Sequence, residues 1–349
     1  MYGSTHLHWA VRFGMPETFR SILDQWPTAN ISITDKYKKS ILMEAIVFKR
    51  TSIVDEIFKL PEPTLGVLIG TADKYGQYPI HAAARRDETL KVVQMLLAKG
   101  EDPERRKAGH TGAPPLELAA RACALQTVDF MLTLPQVNVN TTSLHSVTAL
   151  IGVIVAQCYH SRANARRNRK RPEKPFVSAI FRLLQANIDT NIQTTYGIFR
   201  TKKHESKQNA LEIALKGGLL DTVKLLYKSG ARLGQELRQQ MQQEAECNKY
   251  IAMNTHIVEW IQAEHSRPMT LKYRCREVIR KQLGSEFRFT VQRLPIPKPL
   301  LHFLLLKDLE TYIVSTAEKP QEQAACDMNS LKYEYESSVY DSDEHLETL

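Results

Sequence analysis

"YPIHAAARRDETLKVVQMLLAKGEDP", residues 78–103, is the stretch of sequence that decides the fold. Pro79 suits the first position of a helix, and the small Ala83 lets a second helix approach closely. A second apolar helix follows in "LKVVQMLLAKG", and its Gly100 suits a left-handed C-cap. A single pair of short helices cannot bury its apolar face, so this unit must stack on neighbours of the same kind.

The same pattern recurs along the first two thirds of the chain. Six stretches fall into one register, and their starts are 35, 38, 36, 34 and 61 residues apart. Four of these intervals lie slightly above the ~33-residue spacing of ankyrin repeats. A Thr, Ser or Asn at the first position can cap the helix that follows. The six stretches are "THLHWA" from Thr5, "SILMEA" from Ser40, "YPIHAA" from Tyr78, "PPLELA" from Pro114, "TALIGV" from Thr148 and "NALEIA" from Asn209.

Residues 4–234 therefore resemble an ankyrin-repeat array, and the predicted fold class is an all-α solenoid of about six repeats. The 61-residue interval contains two basic polar segments, near 160–174 and 194–207, which we interpret as loop insertions that form one positive patch. Residues 235–267 are predicted to be a helical segment that caps the array and links it to the next domain.

Composition limits the classes of protein to which the chain can belong. The net charge is +9, and residues 317–349 contribute nine acidic residues against two lysines, a balance of −7, so the remainder carries +16. This positive charge favours acidic partners. Residues 310–349 are predicted to be an acidic disordered tail that competes with an acidic substrate.

The five cysteines lack metal or disulfide spacing and are interpreted as reduced thiols. With no apolar run of about 20 residues and no signal sequence, we expect the cytoplasm or nucleus, and no membrane contact.

An amphipathic helix is predicted in "TLKYRCREVIRKQL", residues 270–283, between a capping Thr270 and a terminating Gly284. Its apolar residues share one face, while five basic residues point elsewhere. This face either packs on the array or docks a partner, and its exposure in the free protein decides between the two. A "LPIP" segment follows at 294–297, where two prolines are expected to fix an extended conformation that displays Leu294 and Ile296.

The order L-x-x-x-C-x-x-x-I, L-P-Φ-P and a closing apolar helix resembles a SOCS box, here a small three-helix domain over residues 268–309. An ankyrin array followed by a SOCS box is the architecture of the ankyrin-repeat and SOCS box family, and the resemblance covers roughly residues 4–309. It implies an elongin-binding face made of Leu271, Cys275, Val278 and Ile279. It also implies a cullin-binding segment made of Leu294, Pro295, Ile296 and Pro297.

This resemblance implies a non-catalytic substrate receptor of a ubiquitin ligase. The implied partners are elongin C with elongin B, cullin five with its RING partner, and an unknown, acidic protein substrate. The sequence contains no recognisable nucleophile, phosphate loop or metal-ligand cluster, so we expect no catalytic residues, no cofactor and no metal. His8 and His81 are interpreted as structural residues that tie one loop to the next.

Two alternatives remain open at this point. One is an ankyrin scaffold without ligase recruitment, and the other is a basic nuclear or nucleic-acid adaptor, which the lack of aromatics within the basic segments disfavours. The basic segment itself suits a nuclear localisation signal, a nucleic-acid contact, a dock for an acidic degron or a solvated loop. The residues assigned to substrate binding are Tyr37, Tyr75, Arg166, Arg167, Arg169, Lys170 and Arg171.

Overall fold

The structure is a computed structural model that describes residues 5–25, 31–109, 112–166, 174–195, 207–234, 238, 254–266 and 270–310. No strand occurs among these residues, and the prediction of an all-α fold is confirmed. The described helices of the repeat region are α1 (His6–Phe13), α2 (Pro16–Gln25), α3 (Ile41–Val47), α4 (Thr51–Ile57), α5 (Glu62–Gly70), α6 (Pro79–Ala84), α7 (Leu90–Ala98), α8 (Pro115–Arg121), α9 (Leu125–Thr133), α10 (Ala149–Arg166), α11 (Lys174–Gln185), α12 (Ala210–Lys216) and α13 (Leu220–Lys228). The helices that follow are α14 (Thr255–His265), α15 (Leu271–Leu283), α16 (Phe287–Thr290) and α17 (Lys298–Leu304).

Among the described helices, six pairs stack in chain order, which matches the six predicted units. The first helices α1, α3, α6, α8, α10 and α12 each pack against the next one in this series, and each also packs against its own second helix. The side-chain oxygens of Ser40, Thr148 and Asn209 accept a hydrogen bond from the backbone N–H three residues later, as expected of N-caps. These N-caps fix the start of the first helix in their units at the positions predicted from the sequence.

Loops between the units, called finger loops here, are tied to one another by backbone hydrogen bonds. The N–H of Lys74 donates to the carbonyl of Tyr37 at 2.8 Å, and the N–H of Ala108 donates to the carbonyl of Gly76 at 2.8 Å. Gly76 has φ +73°, and a Cβ there would lie 1.9 Å from the Ala108 oxygen. Only glycine permits this close approach of one loop to the next.

Two features depart from a regular array. Helix α5 is an extra helix, which the repeat pattern did not predict; it starts at a proline-rich turn and buries Leu65, Leu68 and Ile69 beside α3 and α6. Helix α10 is much longer than the other first helices, so the first basic insertion begins as helix rather than loop. The second insertion closes at its base, where Thr194 N–H donates to the Gln208 carbonyl at 2.9 Å.

One hydrophobic core runs through the array and continues into the C-terminal helices. Ile257, Val258 and Ile261 of α14 belong to it, and the capping role predicted for residues 235–267 stays a prediction. Leu306 and Leu309, which follow α17, are buried in the same core. None of the helices in the described part of the chain meets the length and hydropathy of a membrane span.

Candidate functional site

Helix α15 exposes large apolar side chains and buries two of its arginines. Leu271 is 76% exposed, Val278 57% and Ile279 38%, and Cys275 is exposed as well. Arg276 and Arg280 are instead the buried residues of this helix. Because charged side chains are rarely buried and large apolar ones are rarely left in water together, the exposed face is a candidate docking surface.

Arg276 is held by partners on three sides. Its guanidinium pairs with the Asp308 carboxylate at 2.9 and 3.0 Å, and donates to the Lys228 carbonyl of the sixth unit at 2.8 Å. The same group lies 4.4 Å from the ring centroid of Phe303. These contacts satisfy the buried charge and join the C-terminal helices to the end of the array.

Arg280 makes a second connection one turn further along α15. It donates to the Leu304 carbonyl at 2.6 Å and also to the Leu184 carbonyl of the fifth unit, and it lies 4.4 Å from the Phe287 ring centroid. Burial, with a smaller effect of the neighbouring Arg276 charge, lowers the pKa of Arg280 to about 9. The side chain therefore stays cationic at neutral pH and keeps all of its donors.

Further hydrogen bonds cross the same interface. The side chain of Asn187, at the end of the fifth unit, donates to the carbonyls of Arg280 at 2.9 Å and Gly284 at 2.7 Å. Arg288 donates to the Leu134 carbonyl at 3.0 Å and also to that of Val137. These polar side chains add to the shared hydrophobic core in holding the C-terminal helices on units four to six, and the apolar face of α15 turns away from the array.

The Leu-Pro-Ile-Pro segment differs from its expected display. The N–H of Ile296 donates to the Leu294 carbonyl at 2.8 Å, which makes a tight turn around Pro295. Leu294 and Ile296 are half-buried against a small cluster, whereas Pro295 and Pro297 are exposed. Leu294 and Ile296 are therefore displayed only in part, because one side of each contacts this cluster. Its buried members are Phe287, Val291 and Leu304.

Tyr37 and Tyr75 occupy equivalent places in two successive finger loops. Each loop is closed by an aspartate: Asp35 accepts from the N–H groups of Tyr37 and Lys39, and Asp73 accepts from those of Tyr75 and Gln77, all within 2.9 Å. The aspartates therefore serve the turn, as expected for Asx-type loops. Both tyrosine rings are partly exposed.

Of the basic residues assigned to substrate binding, the structure describes only Arg166, and of that residue only the backbone. Arg166 ends helix α10, and nothing is described of its side chain. Arg167, Arg169, Lys170 and Arg171 lie outside the described residues, as does the tail from 311 onward. The predicted positive patch and the predicted competition by the tail therefore stay predictions.

His8 and His81 connect successive units, as the sequence indicates. His81 Nδ1 accepts from the Tyr78 N–H at 3.0 Å, and Nε2 donates to the Arg105 carbonyl at 2.9 Å. Burial lowers the pKa of His81 to about 4, so that the ring is neutral. Within the described ranges, no group of three or more His, Cys, Asp or Glu side chains could hold a metal ion.

Sequence reasoning missed two sets of residues that the structure brings to notice. The first is the buried pair Arg276 and Arg280, which sequence analysis had only placed away from the apolar face. The second is the stacked pair Trp9 and Phe13 on α1, with centroids 5.6 Å apart and both side chains exposed. The i, i+4 spacing of two aromatics on one helix was the available signal.

Comparisons with known proteins support this architecture. A SOCS box model matches residues 267–305, and an ankyrin repeat model matches residues 75–108. A comparison with curated protein sequences finds no match for this chain.

Two solved structures share similarity with the array. The ankyrin repeat domain of Bcl-3, a member of the IkappaB protein family, is 21% identical with a TM-score of 0.48, covering 66% of this chain and 89% of that one. A chain from the complex of the predatory endopeptidase Bd0816 of Bdellovibrio bacteriovorus with the immunity protein Bd3460 is 18% identical with a TM-score of 0.48. That match covers 65% of this chain and 98% of the other.

Ankyrin repeats and SOCS boxes are protein-interaction domains, and together they make this chain an interaction adaptor. An ankyrin repeat and a C-terminal SOCS box on an all-helical fold match the chain to the ankyrin-repeat and SOCS box protein family.

Proposed function

We propose that the protein is the substrate-recognition adaptor of an elongin B/C, cullin five and RING ubiquitin ligase. The ankyrin array binds the target, the SOCS box docks the ligase, and the bound target is ubiquitinated and sent to the proteasome. The observation that carries this proposal is the exposed apolar face of α15, within the segment that matches a SOCS box.

In this proposal, elongin C covers the face formed by Leu271, Cys275, Val278 and Ile279. Leu271 is the anchor because it is the most exposed of the three large apolar residues of this face. Burying one leucine side chain stabilises a complex by roughly 1.5–3 kcal/mol, so its loss weakens binding by at least ~10-fold. Cys275 acts beside it as a small apolar residue, and its free thiol suits the reducing cytoplasm or nucleus.

Cullin five contacts the Leu294-Pro295-Ile296-Pro297 segment in this proposal. The exposed prolines offer the contact surface, while the half-buried Leu294 and Ile296 fix the shape of the turn from within. Substitution of Leu294 therefore acts on cullin binding through the local fold rather than through a lost contact.

The adaptor supplies no chemistry of its own in this scheme, and its contribution is proximity. Tethering raises the effective concentration of a target lysine at the ubiquitin thioester by orders of magnitude. The buried contacts of Arg276 and Arg280 support this role, because they hold α15 on the array and so fix the distance between the bound target and the ligase.

Co-expression with elongins B and C tests the proposal. The chain, a Leu271→Ala/Cys275→Ala variant and a control Val67→Ala/Leu144→Ala variant are analysed by gel filtration and circular dichroism. Val67 and Leu144 are exposed apolar residues of the array, 53% and 60% exposed, so the control removes comparable surface elsewhere. We expect a ternary complex with the parent chain and the control, and none with the first variant.

The alternative, an ankyrin scaffold without ligase recruitment, predicts a different result for the same experiment. If all three chains are folded and none assembles with the elongins, the face of α15 has another use and the ligase proposal is wrong. If the first variant assembles as well as the control, elongin binding does not use this face.

A further inference from the structure

The stack of helix pairs has an open face at its first unit. The first helix of each later unit packs against the first helix of the unit before it, whereas α1 has no such neighbour in the described part of the chain. The residue after the helix cap is exposed in the first unit, at His6, and buried in the other five, at Ile41, Pro79, Pro115, Ala149 and Ala210. The face of α1 that carries His6 is therefore the face on which a preceding unit would stack.

Trp9 lies on this open face, as its counterparts in later units show. In the repeat register, Trp9 corresponds to Glu44 and Gly152. Arg12 of the first unit donates to the Glu44 carboxylate at 2.9 Å, and a Cβ on Gly152 would lie 3.1 Å from the Arg121 side chain of the fourth unit. Both counterparts are buried and face the preceding unit, whereas Trp9 is 45% exposed.

Phe13 lies on the same face. One counterpart, Arg86, donates to the Val47 carbonyl of the second unit at 2.9 Å. At another, Gly217, a Cβ would collide with the Cys158 sulfur of the fifth unit. The Phe13 ring is instead 62% exposed and stacks on the other aromatic ring of α1, with centroids 5.6 Å apart. The first unit thus exposes two large rings at positions that contact a preceding unit elsewhere in the array.

The two ends of the array differ in this respect. Helix α14 lies on the sixth unit, where the Asn254 side chain donates to the Leu215 carbonyl at 3.2 Å and the Trp260 ring meets that of Tyr227 with centroids 5.8 Å apart. Repeat arrays normally end in a unit with a polar outer face, because an apolar stacking face is costly in water. Adjacent exposed aromatics at the first unit therefore indicate an interface with another molecule.

A second copy of the chain suits this face better than a strongly charged partner. The whole chain carries +9, yet residues 5–25 contain two arginines and two acidic residues, so the first unit is neutral. Two copies that meet by this end avoid the repulsion between their basic parts, and an acidic partner finds no net positive charge there. Because α14 occupies the sixth unit, the copies meet by the same face, as in a two-fold dimer.

We propose that two copies of the chain associate through the open face (His6, Trp9 and Phe13), with the four aromatic rings packed across a two-fold axis. Two rings per copy form the centre of a small interface, so we expect a dissociation constant on the order of micromolar. The SOCS box of each copy lies on units four to six and stays accessible. The dimer therefore presents two arrays, which strengthens binding to a target with two sites. The inference goes beyond the proposed function and does not depend on it.

Sedimentation velocity of the full chain tests the inference. The parent chain, a Trp9→Ala/Phe13→Ala variant and a Val67→Ala/Leu144→Ala control are compared at about 1–100 µM, the range expected for a small interface. We expect the parent and the control to change from monomer to dimer as the concentration rises. The dissociation constant should be at least ~10-fold higher for the first variant, because exposed aromatics dominate such interfaces. Circular dichroism checks that all three chains are folded.

Self-association through the exposed face of α15 is the competing explanation for a dimer. The series therefore includes Leu271→Ala/Cys275→Ala, which we expect to dimerise like the parent chain. A dimer that this variant loses and Trp9→Ala/Phe13→Ala keeps would overturn the inference. The assay contains no elongin, so its outcome and that of the ligase proposal are independent.

A contact across a two-fold axis can also be tested by complementary charges. Phe13→Glu and Phe13→Lys chains are each expected to stay monomeric, because like charges then face each other. Their equimolar mixture should recover a mixed dimer. A mixture that stays monomeric, although the parent chain dimerises, would contradict the two-fold arrangement.

A parent chain that is monomeric over the whole concentration range also overturns the inference. Deletion of residues 2–4 then identifies what occupies the face. If the shortened chain dimerises, the N-terminal residues themselves cover the two rings. If it stays monomeric, the face is left for a different protein.

Discussion

Leu271 and Arg280 lie on opposite faces of helix α15, with the leucine in solvent and the arginine in the interior. They are nine residues apart, which corresponds to two and a half turns at 3.6 residues per turn. Leu271 is 76% exposed and Arg280 is 7% exposed. An exposed leucine does not stabilise the isolated chain, so the arrangement favours a partner that covers this face. The arginine face already packs on the array.

Arg280→Ala is expected to loosen the C-terminal helices from the array. The substitution removes the Arg280 donor from the buried Leu304 carbonyl and one of two donors from the Leu184 carbonyl, which keeps the Asn187 N–H. We therefore expect a cost of about 1–3 kcal/mol. Amide hydrogen exchange should therefore accelerate in α15 and at the end of α11, and the melting temperature of this part should fall. The matched control is Arg274→Ala, an exposed arginine of the same helix, which is expected to change neither quantity. Unchanged exchange in Arg280→Ala would show that apolar contacts alone hold the interface.

The repeat starts were predictable from sequence because their signals are local. A capping residue, a small residue and a terminal glycine fall within one unit, so the residues at Ser40, Thr148 and Asn209 mark their helices without knowledge of the neighbours. Helix α5 carries no such signal within the repeat register and was missed. Its apolar residues are buried by contacts with α3 and α6, and the local sequence does not show these contacts.

The burial of Arg276 and Arg280 was not predictable in the same way. Charged residues are assigned to solvent by default, and they become buried only where partners satisfy every donor. Here the partners of Arg280 include the carbonyl of Leu184, 96 residues earlier in the chain. The contact between Lys74 and the Tyr37 ring has the same origin, since Lys74 reaches this ring from the next finger loop.

Gly76→Ala is expected to break the contact between two finger loops. A methyl group there would lie 1.9 Å from the Ala108 oxygen, and φ +73° is strained for alanine, so we expect a loss on the order of 3 kcal/mol or more. Gly100→Ala is the control, because Gly100 also has a positive φ but faces open space. It should cost only about 1 kcal/mol. Chemical denaturation measures both variants, and equal losses would mean that backbone strain, rather than the contact, determines the effect.

His81 is expected to make the array less stable in mild acid. Burial lowers the pKa of its ring from 6.5 to about 4, so the unfolded chain takes up a proton at a higher pH than the folded one. The contribution is complete above pH 6.5 and is lost as the pH falls towards 4. Thermal melts of the parent chain and His81→Gln between these values should therefore converge as the pH falls. His302→Gln, at an exposed histidine, serves as the control, and a gap between parent and His81→Gln that does not depend on pH would contradict the prediction.

Glu117 is expected to lower the stability of the array as the pH rises, which is opposite to the effect of His81 over a similar pH range. Its carboxyl group is buried between α8 and α10, where Gly152 permits close packing, and burial raises its pKa from 4.5 to about 7 despite Arg121 at 3.5 Å. The folded state therefore keeps the proton while the unfolded chain releases it. The associated stability is complete below pH 4.5 and is lost as the pH rises to 7, by on the order of 3 kcal/mol.

Glu117→Gln retains the size and hydrogen-bonding capacity of the protonated group and has no charge to lose. The variant should therefore be more stable than the parent chain at pH 8 and similar to it at pH 5, as measured by urea denaturation at both values. Glu56→Gln is the control, since Glu56 lies near the surface in salt bridges with Arg20 and Lys59. A destabilised Glu117→Gln at pH 8 would instead show that the ion pair with Arg121 outweighs the burial of the charge, and that the interface between α8 and α10 is built around an ionised carboxylate.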